Sequence, residues 1–401
     1  MIVGSFLTRQ PGIHWRHGLD TSDASSKNSE ALRLPLSTHP GGTTPSWLRP
    51  ATLHGSRRRL VDDVRRSAPN LPAADLAPTA SEQPSPEGPE TLILGATGYV
   101  GSCLAEALLA KSARLRLAGR RTGDLERRFP AADVVFSDAM DPTTLRPALR
   151  GIRTAYYLIH SMGEAKQGFE ERDRHAAENF ASAAAEAGVE RIIYLGGLGD
   201  PEDDLSHHLA SRHETGEMLA EGSTPVLEFR AGIIIGSGSA SYRMLADLVK
   251  RLPVMVTPRW VKTRAQPIGI DDVVQYLMAG RAARLEEHHV VVEIGGADIT
   301  SYRDLMRRFA KVRGRREPVV ISVPVLTPRL SSLWCGLVTS VPTSIARPLI
   351  DGLRNEVVVR DGLASELFPD VRPIGFDEAV QRAISGEAQH LPMNSDRPSR
   401  G

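Results

Sequence analysis

From Glu90 onward the chain alternates short apolar runs with stretches of helical period, whereas the first 89 residues sustain neither a period of 2 nor one of 3.6. Strand-like runs fall at Thr91 to Leu94, Arg114 to Ala118, Asp133 to Phe136, Thr154 to Ile159, Arg191 to Leu195 and Pro225 to Phe229. Helical spacing fills the gaps. It is clearest at Glu170 to Ala187, where alanines gather on one face and Gly188 follows the end. Such alternation predicts repeated βαβ units and a parallel sheet. After Phe229 the pattern loosens into helices near Tyr242 to Arg251, Asp271 to Leu285 and Ser301 to Arg313, with short strands at Pro267 to Ile270 and Val290 to Ile294. This tail, from about residue 230, predicts a small C-terminal α/β lobe on the substrate side of the sheet. Pro324 to Leu353 is apolar and partly helical, but Pro324, Pro328, Pro342 and Pro348 interrupt it, which favours a core or interface segment over a membrane one.

The texture divides the chain into an extension over 1–89, a domain over 90–386 and a tail over 387–401. The extension holds 11 of the 28 prolines and is read as disordered, save for a basic segment at Ser56 to Ser67 that would be a short helix or a solvated charge run. Forty-nine Lys and Arg against 48 Asp and Glu leave a net charge of +1, so no overall field draws the chain to nucleic acid. Cys103 and Cys335 lack partners at metal-ligand spacing and read as buried thiols in a reducing compartment. The opening MIVGSFLTRQPG is too short an apolar run for a signal peptide, and no stretch reaches membrane-spanning length. The expectation is a cytoplasmic protein with a small-molecule substrate, no metal, no transmembrane segment, and a homodimer or protein partner left open.

Chemistry enters at TLILGATGYVGSCLAEALLA, where Gly95, Gly98 and Gly101 lie between a buried strand and an amphipathic helix. Gly95 permits a tight turn, Gly98 a close approach of backbone to a pyrophosphate, and Gly101 close helix packing, while the helix N-terminus offers free N–H groups. Thr97, Tyr99 and Val100 belong to the same turn and are assigned to the cofactor with the glycines. An α/β fold of Rossmann type, a doubly wound parallel sheet, follows. About 20 positions further on an acidic residue would select NAD. Here the second strand ends in Arg120 and Arg121, which suit the 2′-phosphate of NADP, unless one merely starts the next helix. Asp138, after the third strand, is placed to accept from the adenine amino group. His160 and Ser161, at the end of the fourth, are placed on the nicotinamide side. Tyr157 reads as core. Met162 to Phe169 reads as a lid, and Arg230 either closes over the ligand or forms a salt bridge.

The turn GATGYVG, SDAMD after the third strand, AYYLIHSMG at Ala155 to Gly163 and FRAGIIIGSGSASY at Phe229 to Tyr242 together resemble the extended and atypical short-chain dehydrogenase/reductase superfamily. Within it AYYLIHSM, HHLASRHETGEML at His207 to Leu219 and TPRLSSLWCGLVTSVPTSIARPLIDGLRNEV from Thr327 are similar to the NmrA-like, NAD(P)H-binding subgroup. That resemblance implies hydride transfer assisted by Ser, Tyr and Lys, with Tyr and Lys separated by three residues. The sequence departs from it: Tyr194-Leu195-Gly196-Gly197 stands where the serine is expected, and no Tyr-x-x-x-Lys follows. The corresponding helix carries His208 and Arg212, four apart and so on one face. They would be either a substitute proton donor with its neighbour or contacts to the nicotinamide ribose or a structural carboxylate. Three functions remain open: an NADP-dependent oxidoreductase acting on a small carbonyl or quinone, a non-catalytic NADP-binding sensor or scaffold, and a nucleotide-sugar epimerase or dehydratase.

Overall fold

In a computed structural model of the chain, the structure describes residues 90–160, 169–257, 259–322, 340–341 and 343–390. The proline-rich extension with its Ser56 to Ser67 segment, Ser161, residues 162–168 of the expected lid, Cys335 and residues 391–401 lie outside the described residues.

Seven strands form one wholly parallel sheet: β1 (Thr91–Leu94), β2 (Leu115–Gly119), β3 (Asp133–Phe136), β4 (Thr154–Tyr157), β5 (Arg191–Gly197), β6 (Val226–Ala231) and, further along the chain, β11 (His289–Ile294). Their spatial order is β11-β6-β5-β4-β1-β2-β3, so the chain reverses direction across the sheet between β1 and β4. At that switch point Leu94 is paired with Ala118 on one side and Tyr157 on the other. An open crevice forms there, outside the carboxyl ends of the strands, because the crossovers on either side run away from each other.

Helices cover both faces, as an all-parallel sheet requires. On one face α1 (Tyr99–Ala110) and α7 (Ile270–Ala279) bury Leu104, Leu108, Val273 and Leu277 against Ile93, Leu117 and Ile193. On the other, α3 (Pro142–Leu149), α4 (Phe169–Glu186) and α5 (His207–Ala220) pack over Leu92, Leu94, Tyr157 and Tyr194. The short α2 (Thr122–Arg128) joins β2 to β3. Period 2 in β1 divides its residues between the two cores. The alanine face of α4 is buried through Ala176, Ala177, Ala183 and Ala184, and Gly188 follows it at φ +71°, the left-handed geometry of a helix terminator.

The C-terminal lobe has its own core. It comprises β7 (Ile234–Ile235), α6 (Ala240–Arg251), β8 (Val254–Thr257), β9 (Arg264–Ala265), β10 (Ile268–Gly269), β12 (Thr300–Ser301), α8 (Tyr302–Val312), β13 (Val319–Ser322), α9 (Thr343–Gly352), α10 (Leu363–Leu367) and α11 (Phe376–His390). Tyr242, Met255, Leu305, Phe309, Phe376 and Val380 meet at its centre.

Several boundaries differ from expectation for visible reasons. Strand β4 stops at Tyr157, two residues early, because the Leu158 N–H makes its bond to the Leu94 carbonyl at 2.9 Å just where the chain after β1 turns away. Helix α7 ends at Ala279 instead of reaching Leu285, because Arg191 collects the carbonyls of Gly280, Arg281 and Ala283 at 2.8, 2.6 and 2.5 Å and turns the chain there. Helix α11 runs through residues 387–390, which had been assigned to the tail, and Glu387 pairs with Arg313 at 2.5 Å. Among the described residues no helix is long and apolar enough to cross a membrane.

Candidate functional site

A cleft of about 1780 Å³ opens at the switch point and extends beneath the C-terminal lobe. Gly95, Thr97, Gly98, Tyr99, Val100, Gly101, Arg120, Arg121, Asp138, His160, His208 and Arg212 all line it.

The glycine turn is shaped by contact. Gly95 has φ +109°, and a Cβ there would lie 2.6 Å from the Leu158 carbonyl oxygen, so both conformation and space demand glycine. At Gly101 a Cβ would lie 2.4 Å from the Gly95 oxygen, which shows how closely α1 approaches the turn. Gly98 precedes the helix in extended conformation, bonds back to Gly95 at 2.9 Å and supplies no side-chain cap. The first-turn N–H groups of Tyr99, Val100 and Gly101 therefore face the cleft uncapped, a fitting cradle for an anionic pyrophosphate. The Tyr99 ring is used differently from expectation. It rests on the strip Gly236-Ser237-Gly238, where a Cβ on Gly238 would come within 2.4 Å of it, and burial pushes its hydroxyl up to about 12. It braces the turn against the lobe because only glycines leave room for a ring, while its backbone stays with the phosphate cradle.

At the far end of β2, Arg120 and Arg121 are both exposed on the cleft. Arg120 has no ion-pair partner among the described residues, and Arg121, which precedes α2, lies a loose 3.6 Å from Asp124. Asp138 accepts from the Met140 N–H at 3.1 Å through Oδ1, a turn-capping bond that orients its carboxylate. Beside it the Ser137 hydroxyl is buried in the cleft wall with no hydrogen-bond partner. The uncapped helix, the glycine cradle and this orphaned hydroxyl fit a bound dinucleotide.

On the opposite side His160, three residues past β4, and His208, in the first turn of α5, bring their ring centroids to 5.3 Å. Neither has a hydrogen-bond partner among the described residues. Desolvation, reinforced by the Arg212 charge, lowers His208 to about 4 and holds His160 well below its usual value, so both are neutral at neutral pH. Arg212 does not reach a carboxylate. Its guanidinium donates to the Leu195 carbonyl and lies 5.2 Å from the centre of the Tyr194 ring, and the Tyr194 hydroxyl donates back to the Arg212 carbonyl at 3.0 Å. His213 adds a 2.9 Å contact to the Gly197 carbonyl. These ties seat α5 on the end of β5. At Gly197 a Cβ would lie 2.8 Å from Leu209, so the position where a serine was expected is crowded by the helix that carries the histidine.

Two other residues resolve plainly. Tyr157 is core, edge-on to Phe180 and Tyr194. Arg230 is neither a lid nor a surface residue: it is buried and pairs at 2.6 Å with Glu228, which is wholly buried and also meets His289 at 2.9 Å. Burial raises the Glu228 carboxyl, but the His289 bond and the Arg230 charge outweigh it and hold the group below the ordinary carboxylate range. Cys103 is half-buried, not fully buried. Sequence reasoning missed Ser137, the glycine strip under Tyr99 and the apolar half of the cleft. The repeated glycines of GSGS were the only available signal for any of them.

Residues 95–223 match the family model described as NAD(P)H-binding. The Escherichia coli NADPH-dependent quinone oxidoreductase, in complex with NADPH, has a TM-score of 0.59 at 19% identity, covering 73% of this chain and 99% of that one. Triphenylmethane reductase from Citrobacter sp., complexed with NADP(H), gives 0.57 at 16% identity over 73% and 99%. UDP-glucose 4-epimerase from Thermotoga maritima gives 0.57 at 13% over 75% and 99%. Among curated proteins, sterol demethylase protein B of Methylococcus capsulatus is 27% identical over 113 residues, 27% of this chain and about a third (34%) of that protein's length. Fold and site define a nicotinamide-dinucleotide-binding α/β protein of Rossmann type. The structural neighbours share this fold and include reductases and an epimerase.

Proposed function

We propose that the protein is an NADP(H)-dependent oxidoreductase that reduces a carbonyl or quinone group. The observation that carries this reading is His208: a neutral imidazole without a hydrogen-bond partner among the described residues, lining the cleft beside the carboxyl ends of β4 and β5. When bound, the dinucleotide supplies the hydride, two electrons and one proton. His208 donates a hydrogen bond to the carbonyl oxygen as negative charge develops there. A neutral imidazole is a weak acid, so the proton that completes the alcohol or hydroquinone comes from water. Arg212, tied to Leu195 and Tyr194, is a positioning residue that keeps His208 and His160 uncharged.

Preference for NADP over NAD is supported by Arg120, whose guanidinium is exposed on the cleft with no ion-pair partner among the described residues to compete with a 2′-phosphate. Residues from about 230 onward are assigned the substrate side. The names of the reductase neighbours, attached to quinones and to triphenylmethane dyes, agree with a ring compound as acceptor.

Absorbance at the nicotinamide band tests the reading, with NADPH and a panel of quinones and ketones. Oxidation that is lost in His208→Ala supports it. Tight NADPH binding with no oxidation of any acceptor replaces it with an NADP-occupancy sensor, a reading favoured by the missing Ser, Tyr and Lys.

A further inference from the structure

The cleft is larger than its cofactor half requires. Single-ligand sites usually measure about 300–1,000 Å³, and this one reaches about 1780 Å³. Its second half lies under the C-terminal lobe and is walled by carbon. Helix α6 contributes Leu245 and Leu248, α8 contributes Leu305, and the end of α9 contributes Leu349. Three methionines from three different elements, Met244, Met255 and Met306, complete the wall. Thioether side chains adapt to irregular bulky shapes, so a wall built of them accepts rigid ring systems without fixing one outline.

Ser239 Oγ donates to the Ile234 carbonyl at 2.8 Å and accepts from the Tyr242 N–H at 3.1 Å, and Arg243 is solvent-exposed. The mouth repeats the chemistry. Val254 lines the cleft at 51% exposure and is paired across β8 and β13 with Val319, 57% exposed, with Ile321 at 47% two residues on, so the three lie on one face. An apolar lip of this kind is costly in water and marks a surface that meets an apolar partner.

We propose that this chamber binds a bulky apolar ring or chain system attached to the reducible carbonyl, so that the substrate is a lipid-sized ketone or quinone and not a small polar one. The inference rests on the oxidoreductase reading and narrows its acceptor to a large apolar one. Six-carbon or shorter carbonyls would leave the chamber walls hydrated, whereas a multi-ring compound would cover them.

Prodan, a two-ring ketone whose fluorescence shifts to the blue in apolar surroundings, is the direct probe, used with the full chain. The expected result is a saturable blue shift reversed by progesterone and not by butanone. Leu248→Trp and Leu245→Trp, at half-buried positions of α6, should each weaken prodan by at least tenfold, with thermal melts reporting that the fold persists. If one variant does not fold, the other carries the comparison, and the competition needs neither. Absence of a saturable shift, equal displacement by butanone, or folded Trp variants that bind prodan like the unaltered chain would overturn the proposal. NADPH is titrated separately. Failure of NADPH to bind alongside intact prodan binding would sink the oxidoreductase reading and leave the chamber assignment standing.

Discussion

The two halves of the cleft are built by opposite means. The dinucleotide half is made by backbone and by a few polar groups at strand ends, within a span of about a hundred residues: Gly95 and Gly101 because nothing larger fits, Arg120 and Asp138 because β2 and β3 end beside the turn. The substrate half is made by side-chain carbon from α6, β8, α8 and α9, elements dispersed over a further hundred residues and joined only in the folded lobe. The first is specified by position and tolerates almost no change in size. The second is specified by composition and tolerates exchange of one apolar side chain for another.

The sharpest break between the halves is expected from Gly101→Val. Its branched side chain has no space beside the Gly95 oxygen, so NADPH affinity should fall by more than about 100-fold, since a displaced helix N-terminus loses several phosphate bonds together. Leu305→Ala, in the lobe, should cost about 2–5 kcal/mol of stability and leave NADPH binding in place. Fluorescence titration and thermal melting separate the two outcomes.

Next in size is His208→Ala, expected to lower kcat by about 10²–10³ for a reduced carbonyl, the usual worth of one positioned hydrogen-bond donor to a developing oxyanion. Steady-state kinetics check it, and a loss confined to KM would show that His208 only binds. Arg120→Ala should weaken NADPH by about 10- to 100-fold, the range of one or two charged hydrogen bonds, and change NADH little. Equal losses for both nucleotides would remove the 2′-phosphate assignment.

The smallest effect is on pH. His208 at about 4, His160 and His213 all have folded values below the ordinary 6.5. As pH falls below 6.5 the unfolded chain takes up protons that the folded one refuses, so stability declines toward pH 4. Glu228, held below 4.5, loses its contribution in the same direction as pH falls through its unfolded value. Melting temperature measured from pH 7 to 4.5 should fall, with a shallower slope in His208→Leu. An unchanged slope would assign the decline to other groups.

How much of this was legible in the sequence follows the same division. Strands β1 and β3 are legible to the residue, and so are the turn at Gly95 and the close helix packing at Gly101, because strand period and glycine stereochemistry are local. The other residues assigned to the cofactor line the same cleft, Ser161 apart, which lies outside the described residues. Arg230 and Tyr99 were not legible, since a buried partner such as Glu228 and a glycine strip more than a hundred residues away are tertiary facts. The same holds for the apolar chamber: Leu248, Leu305 and Leu349 carry no local signal that sets them apart before three helices meet. Gly197 shows the limit from the other side, for the missing serine is visible in the sequence but the crowding of that position by Leu209 of α5 is not.

The central claim is that this cleft holds a nicotinamide dinucleotide and that Arg120 selects its phosphorylated form. Titration of the full chain with NADPH and NADH, followed by nicotinamide fluorescence, tests it most directly. Saturable binding of NADPH at least tenfold tighter than NADH is the predicted result, and failure of both nucleotides to bind would contradict the account at its base.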